Sequence, residues 1–175
     1  SAGASGSIQT TGRAFNSGAS LVYNGTLAQN IGTFTTSPTA TTINNLTIDN
    51  TNGVTLNTAS IQTITGNLNI TSGSLVFGGA VRTIAVTGNV TGSGTINMTG
   101  AAHQLLISGT GSTFSGTLNG ESTSTITYNG VNQDIFGNAG YQNLVITGGG
   151  TKTLLGNVTV QNVLTLTNGI VQLGN

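Results

Sequence analysis

Residues 45–98 read NLTIDNTNGVTLNTASIQTITGNLNITSGSLVFGGAVRTIAVTGNVTGSGTINM, and the fold of the whole chain follows from them. Short alternating segments recur: Leu46-Thr47-Ile48, Val54-Thr55-Leu56, Leu68-Asn69-Ile70, Leu75-Val76-Phe77, Ile84-Ala85-Val86 and Ile96-Asn97-Met98. Turn formers such as Asn52-Gly53, Ser72-Gly73 and Gly92-Ser93-Gly94 separate them. Period-two alternation in β-branched runs bounded by Gly, Asn and Ser predicts strands, and no stretch carries a helical period. The spacing selects the architecture. Leu46, Leu68 and Val90 are evenly spaced, so are Val54, Leu75 and Ile96, and Ile64, Ile84 and Leu105 are nearly so. Three strand classes recur in fixed order with one common period, which defines a β-solenoid with each strand stacked on its counterpart one coil on. The apolar residues then point inward, and Thr47, Thr55, Asn69, Ala85 and Asn97 face out. A β-sandwich is the competing all-β arrangement, but it has no reason to repeat in threes.

Composition agrees with a packed chain that is solvated without charge. Of 175 residues, three are Lys or Arg, three Asp or Glu and one His; charged residues make up 3%, against roughly 25% in an ordinary soluble domain. Thr, Ser and Asn do the solvating. Three basic residues cannot neutralise a run of phosphates, which argues against nucleic-acid binding, and they cannot build a basic membrane-surface helix. No Cys is present, so disulfides, thiolate chemistry and Cys-ligated zinc are excluded. No apolar run approaches a membrane span, and SAGASGSIQTTG has neither a basic nor an apolar leader region. Both ends read as cuts within a longer polypeptide. The chain is therefore expected to be one solenoid segment over 1–175 within a longer repeat array, with 1–20 irregular or an edge coil and Pro38 in a loop insertion over 35–42.

A longer echo is superimposed on the coil repeat. Tyr23-Asn24-Gly25 with Gln29 returns as Tyr128-Asn129-Gly130 with Gln133, Asn45-Leu46-Thr47-Ile48 as Asn143-Leu144-Val145-Ile146, and Gly66-Asn67-Leu68 as Gly156-Asn157-Val158. Leu46 to Leu68 spans a coil, whereas Leu144 to Val158 is well short of one, so the matched motifs cannot all share a face. The small-residue stretch SGTGSTFSGTLNG, Ser108–Gly120, leaves the register there open.

YNG followed by Gln, then YQNLVITGGGTKTL and GNVTVQNVLTLTNGIVQLGN, resemble the repeat regions of very large Bacteroidota proteins exported by the type IX route, which serve as surface adhesins or stalks. The resemblance covers most of the chain and is strongest from Tyr128 to Asn175. It implies a right-handed parallel β-helix and an extracellular, cell-surface location, and it transfers no catalytic residue.

The ionisable side chains are Arg13, Asp49, Arg82, His103, Glu121, Asp134 and Lys152. A glycosidase needs two carboxylates about 5 to 10 Å apart, and only Glu121 and Asp134 stand close enough in sequence to meet across part of a coil. Polysaccharide lyases on this fold need an acid cluster for calcium, which is missing. His103 has no second His or Cys to share a metal and reads as a turn or edge residue. Lys152 could form a crosslink to an Asn, with nothing specific in favour. No phosphate-binding glycine motif occurs. The six N-x-[ST] sequons match chance for this composition. Asn45, Asn67, Asn89 and Asn143, each near a strand start, suggest a stacked Asn ladder of structural purpose. No catalytic, cofactor-binding or metal-binding residue is therefore assigned.

These readings point to a non-enzymatic structural or adhesive segment of a bacterial surface protein or filament, associating end to end with neighbouring repeats or copies of itself. Two alternatives remain. Thr63/Thr65, Thr125/Thr127, Thr151/Thr153 and Thr165/Thr167 could form ice-binding Thr arrays, and surface glycans could be bound or degraded, with Tyr141 the aromatic expected to be exposed.

Overall fold

A computed structural model describes residues 16–31, 42–56, 63–137 and 139–174. The chain is a right-handed parallel β-helix, all strands parallel and no helix among the described residues. The first coil holds β1 (Leu21–Tyr23), β2 (Gln29–Ile31) and β3 (Thr42–Ile43), and the second β4 (Leu46–Leu56) and β5 (Thr63–Ile64). Next come β6 (Leu68–Val76) with β7 (Thr83–Val86), then β8 (Val90–Gly92), β9 (Thr95–Met98) and β10 (Gln104–Ile107). The later coils hold β11 (Thr117–Gly120) and β12 (Thr125–Tyr128); β13 (Gln133–Ile135) and β14 (Ala139–Ile146); β15 (Thr151–Leu154) and β16 (Val158–Leu166); and β17 (Ile170–Leu173).

Each coil has three faces. The first two expected stacks are present: Leu46 pairs with Leu68 and Leu68 with Val90, and Val54 pairs with Leu75 and Leu75 with Ile96. The third is shifted, because Ile64 stacks on Val86 and it is Ile84 that meets Leu105. Nor are there three separate sheets in the early coils. β4 and β6 run through the first corner unbroken, so the first two faces there form one seven-stranded sheet. A second seven-stranded sheet, β3-β5-β7-β10-β12-β14-β16, forms the third face along the whole stack, and β13-β15-β17 carry the first face in the later coils.

Inward positions are apolar throughout. Leu46, Ile48, Val54, Leu56 and Ile64 are fully buried, each stacked on an aliphatic neighbour one coil away, while Thr47, Thr55, Asn69, Ala85 and Asn97 are half-buried on the outer surface as expected. Burying each aliphatic side chain contributes about 1.5–3 kcal/mol. That pattern excludes the sandwich, whose sheets pair antiparallel.

The open register between Ser108 and Gly120 resolves at the earlier coil length, with Gly111 bonded to Asn89 and Thr117 paired with Thr95, and the period shortens only in the coil that follows, where Thr125 pairs with Asn143. Asn67 and Asn89, stacked one coil apart, differ by 22 in sequence, whereas Asn132 and Thr151, stacked likewise in the later coils, differ by 19. In the coil before the change the first face has no strand; Ser112 turns inward, fully buried, and its Oγ accepts the Val90 N–H at 3.0 Å. The echo is thereby explained as well. Asn45-Leu46-Thr47-Ile48 lies on the first face, but Asn143-Leu144-Val145-Ile146 lies on the third, pairing with β12 and β16. The same Asn-Leu-x-Ile pattern serves whichever face the phase of the coil brings to it. Of the expected loop over 35–42, only Thr42, which opens β3, lies within the described residues. Within 1–20, residues 16–20 turn through an Ala19 N–H to Asn16 carbonyl bond of 2.8 Å, and 1–15 lie outside the described residues.

Gly73 marks where a continuous strand must bend. Its φ is +70°, and a Cβ there would sit 1.7 Å from the Asn50 carbonyl oxygen of the coil below. Gly79, by contrast, has nothing within 4 Å of its Cβ position. Gly73→Ala should therefore cost about 2–4 kcal/mol through combined left-handed strain and overpacking. Gly79→Ala should leave urea stability unchanged or raise it by up to about 1 kcal/mol. Equal effects of the two substitutions in denaturation curves would contradict the coil stacking.

Candidate functional site

The polar side chains that the core admits sit at the corners, where the chain leaves one face for the next. Main-chain N–H and C=O groups there lose their ladder partners, and buried ones must find others. Asn45 Oδ1 accepts the Asn67 N–H at 2.8 Å, Asn67 Oδ1 the Asn89 N–H at 2.8 Å, and Asn89 Oδ1 the Gly111 N–H at 3.0 Å. This is the expected ladder, made side chain to main chain. Asn143 is not part of it. It belongs to another corner, where its Nδ2 donates to the Ser122 and Ser124 carbonyls and its Oδ1 accepts from Asn162.

The recurring Tyr-Asn-Gly with Gln has a local cause. Gln29 Oε1 accepts the Gly25 N–H at 3.0 Å, and Gln133 Oε1 accepts the Gly130 N–H at 2.7 Å, so each Gln folds back onto the turn that precedes it. Both are buried. Gln133 Nε2 also donates to the Ile107 and Gly109 carbonyls of the coil below, and Gln29 accepts from Asn50 Nδ2. The motif is a corner plug, used at two different corners.

The ionisable residues are distributed in the same way. Ser72 Oγ donates to Asp49 at 2.8 Å across two coils. Arg82 Nε donates to the Phe77 carbonyl, and burial holds its pKa below the ordinary arginine value. His103 is fully buried at its turn. Its Nδ1 accepts the Arg82 N–H at 3.2 Å and Nε2 donates to the Gly78 carbonyl at 2.9 Å, a pattern that uses both ring nitrogens with Phe77 edge-on at 5.3 Å. Glu121 stands in the corner between β11 and β12, whereas Asp134 faces out from the middle of β13, so the structure places the two carboxylates on different sides of the coil. Arg13 lies outside the described residues. Among the described residues, no group of three His, Cys, Asp or Glu side chains comes together to hold a metal ion.

Lys152 carries its ammonium into the interior of the coil. It is fully buried, and Nζ donates to the Gly130, Val131 and Gly149 carbonyls at 2.6, 2.8 and 2.7 Å. The turn supplying one of these oxygens, Gly148-Gly149-Gly150, has φ of +80, +73 and +64° in succession, a path that side chains rarely allow. All three bonds go to main-chain oxygen, and none to an Asn carboxamide. Burial lowers the pKa of the ammonium, while the three acceptors engage its protons.

Tyr141, expected at the surface, is 1% exposed. The Phe136 N–H donates to the Tyr128 hydroxyl at 3.2 Å, the two tyrosine hydroxyls lie 2.9 Å apart, and Tyr141 donates to the Phe136 carbonyl at 3.2 Å, closing a ring of hydrogen bonds within the core. Both main-chain groups of a corner residue are thus satisfied by phenols. Neither this ring nor the lysine cage was legible in advance, although Gly148-Gly149-Gly150 two residues before a lone Lys was a usable signal for the cage. The remaining described aromatics, Tyr23, Phe77, Phe114 and Phe136, are buried too; Phe15 and Phe34 lie outside the described residues.

Among the described residues no helix is long and apolar enough to cross a membrane. No family model, curated protein or solved structure matches the chain.

Burial raises the pKa of Tyr128 well above the usual tyrosine value and that of Tyr141 likewise. A raised folded-state pKa contributes stability that is present below the unfolded value of about 10 and lost as pH rises above it. Urea midpoints should hold up to about pH 10 and fall beyond it, with phenolate absorbance of these two residues appearing only as circular dichroism is lost. Ionisation of all the tyrosines in the folded protein near pH 10 would contradict the buried ring.

Proposed function

We propose that the chain is a non-enzymatic structural segment of an extracellular bacterial surface protein, a β-helical stalk or adhesive repeat array. The observation that carries this reading is the last described coil. Val163, Leu164, Leu166, Ile170, Val171 and Leu173 are 41–77% exposed, whereas Leu144, Ile146 and Lys152, the counterparts of Leu164, Leu166 and Val171 one coil earlier, are buried. Leu164, Leu166 and Val171, with Leu154, Val158 and Val160, line an open cavity of about 200 Å³ that reaches Ile135, Leu144 and Ile146. A further coil laid on this surface would bury those side chains and pair the free edges of the outermost strands. Neither a charge nor a Pro from Val163 to Leu173 protects that edge. The described ionisable side chains support the same reading, since Arg82, His103 and Lys152 are engaged by main-chain groups at corners. The resemblance of the repeats to those of type IX-exported surface proteins supports the location.

At high concentration the isolated segment should form elongated particles, one coil stack continuing into the next, visible by light scattering and electron microscopy. Leu166→Lys with Val171→Lys should return it to monomers while leaving the circular dichroism of the other coils intact. A parent protein that stays strictly monomeric would overturn the stacking role.

A further inference from the structure

The third-face sheet carries a long, uncharged outer surface. Seven parallel strands from β3 to β16 present their outward residues in straight columns. One column is Thr63, Ala85, Leu106, Thr127, Val145, Thr165, set by direct pairing from strand to strand. The next is Thr65, Thr87, Ser108, Asn129, Thr147, Thr167, carried by main-chain bonds of 2.8–3.0 Å such as Thr87 N–H to the Ile64 carbonyl and Asn129 N–H to the Ile107 carbonyl. Every one of these residues is half-buried or exposed. No described ionisable side chain stands in either column: Asp49, Arg82, His103, Glu121, Asp134 and Lys152 all belong to corners or to the first face. No aromatic residue stands there either.

This surface is a grid. Outward side chains recur about 7 Å apart along a strand and about 4.8 Å apart across strands, and coil-on-coil stacking restrains the sheet twist. One column is largely methyl-bearing (Thr, Ala, Leu, Val) and the other largely hydroxyl or amide (Thr, Ser, Asn), and no charge organises water against the grid. Three kinds of partner suit a flat neutral face. A second copy packed face to face is disfavoured by size: six strand spacings by two residue spacings is about 29 by 14 Å, or about 800 Å² buried in total, below the roughly 1,200 Å² of a stable interface. A glycan finds no aromatic platform on which to stack its rings. A crystalline lattice of water remains, because it needs only repeated, geometrically matched anchoring of ordered water by methyls and hydroxyls, and adsorption to it accumulates over the whole grid.

We infer that the outer face of the third sheet, centred on Thr127, binds ice. The inference is independent of end-to-end stacking, which uses the last coil and not this face. The tests are thermal hysteresis, ice-crystal shaping and recrystallisation inhibition by the full 175-residue chain. The parent should shape crystals and block recrystallisation. Thr127→Lys, in the middle of the grid, and Thr87→Lys, in the neighbouring column, should each weaken inhibition at least tenfold while melting like the parent. Thr117→Lys, outward on a different sheet, should retain full activity. A folded parent that leaves ice growth unchanged at any concentration overturns the inference. So does loss of activity in Thr117→Lys equal to that in Thr127→Lys, or its full retention in both variants of the face.

Discussion

The structure depends on how main-chain groups are satisfied where each coil turns a corner. Along the strands, the parallel ladder pairs main-chain N–H and C=O groups with the coils above and below. At the corners the ladder lapses close to an apolar core, where an orphaned group costs about 1–3 kcal/mol. Asn45, Asn67 and Asn89 meet this need with side-chain oxygens on the coil above. Gln133 meets it with both ends of its amide, Tyr128 and Tyr141 with their hydroxyls, His103 with both ring nitrogens and Lys152 with a whole ammonium. A composition poor in charge and rich in Asn, Thr and Ser is what such a fold needs, because short neutral side chains bridge one coil spacing at little desolvation cost.

The same constraint accounts for the change of period. A coil can shorten only if a corner is rebuilt, and the shortening comes in the coil after the one in which the first face gives up its strand. In the coil just before the shortening, Ser112 accepts the Val90 N–H, and Phe114 packs against the Phe136 ring at 5.3 Å. The third sheet runs unbroken past this point. Its outward columns stay aligned while the other two faces change their pairing, which leaves it the one surface extended over the full stack.

Much of the fold was legible because apolar spacing is a direct record of coil length. Leu46, Leu68 and Val90 stand one above another as their numbers suggest, and the outward residues between them are the polar ones. The third class failed because Ile64-to-Ile84 and Ile64-to-Val86 differ by one pleat of the same strand, and alternation alone does not say which inward residue opens the stack. The echo misled in a similar way. Asn-Leu-x-Ile records a strand start next to a corner, not the identity of the face, so two copies could sit on different sheets. At the polar positions the sequence was informative for Asn, whose spacing matched the coil, and uninformative for single residues. Lys152, Tyr141 and His103 occur once per environment, and their burial follows from contacts across coils that no local pattern encodes.

Substitution of the buried lysine tests most directly whether corner side chains hold the coil together. Lys152→Met preserves length and apolar packing but removes the donor to the Gly130, Val131 and Gly149 carbonyls. Urea denaturation at neutral pH should show a loss of about 1–3 kcal/mol from the orphaned carbonyls, with the remaining structure still β-helical by circular dichroism. A variant as stable as the parent would mean that the apolar stack alone carries the fold and that the polar corners are incidental to it.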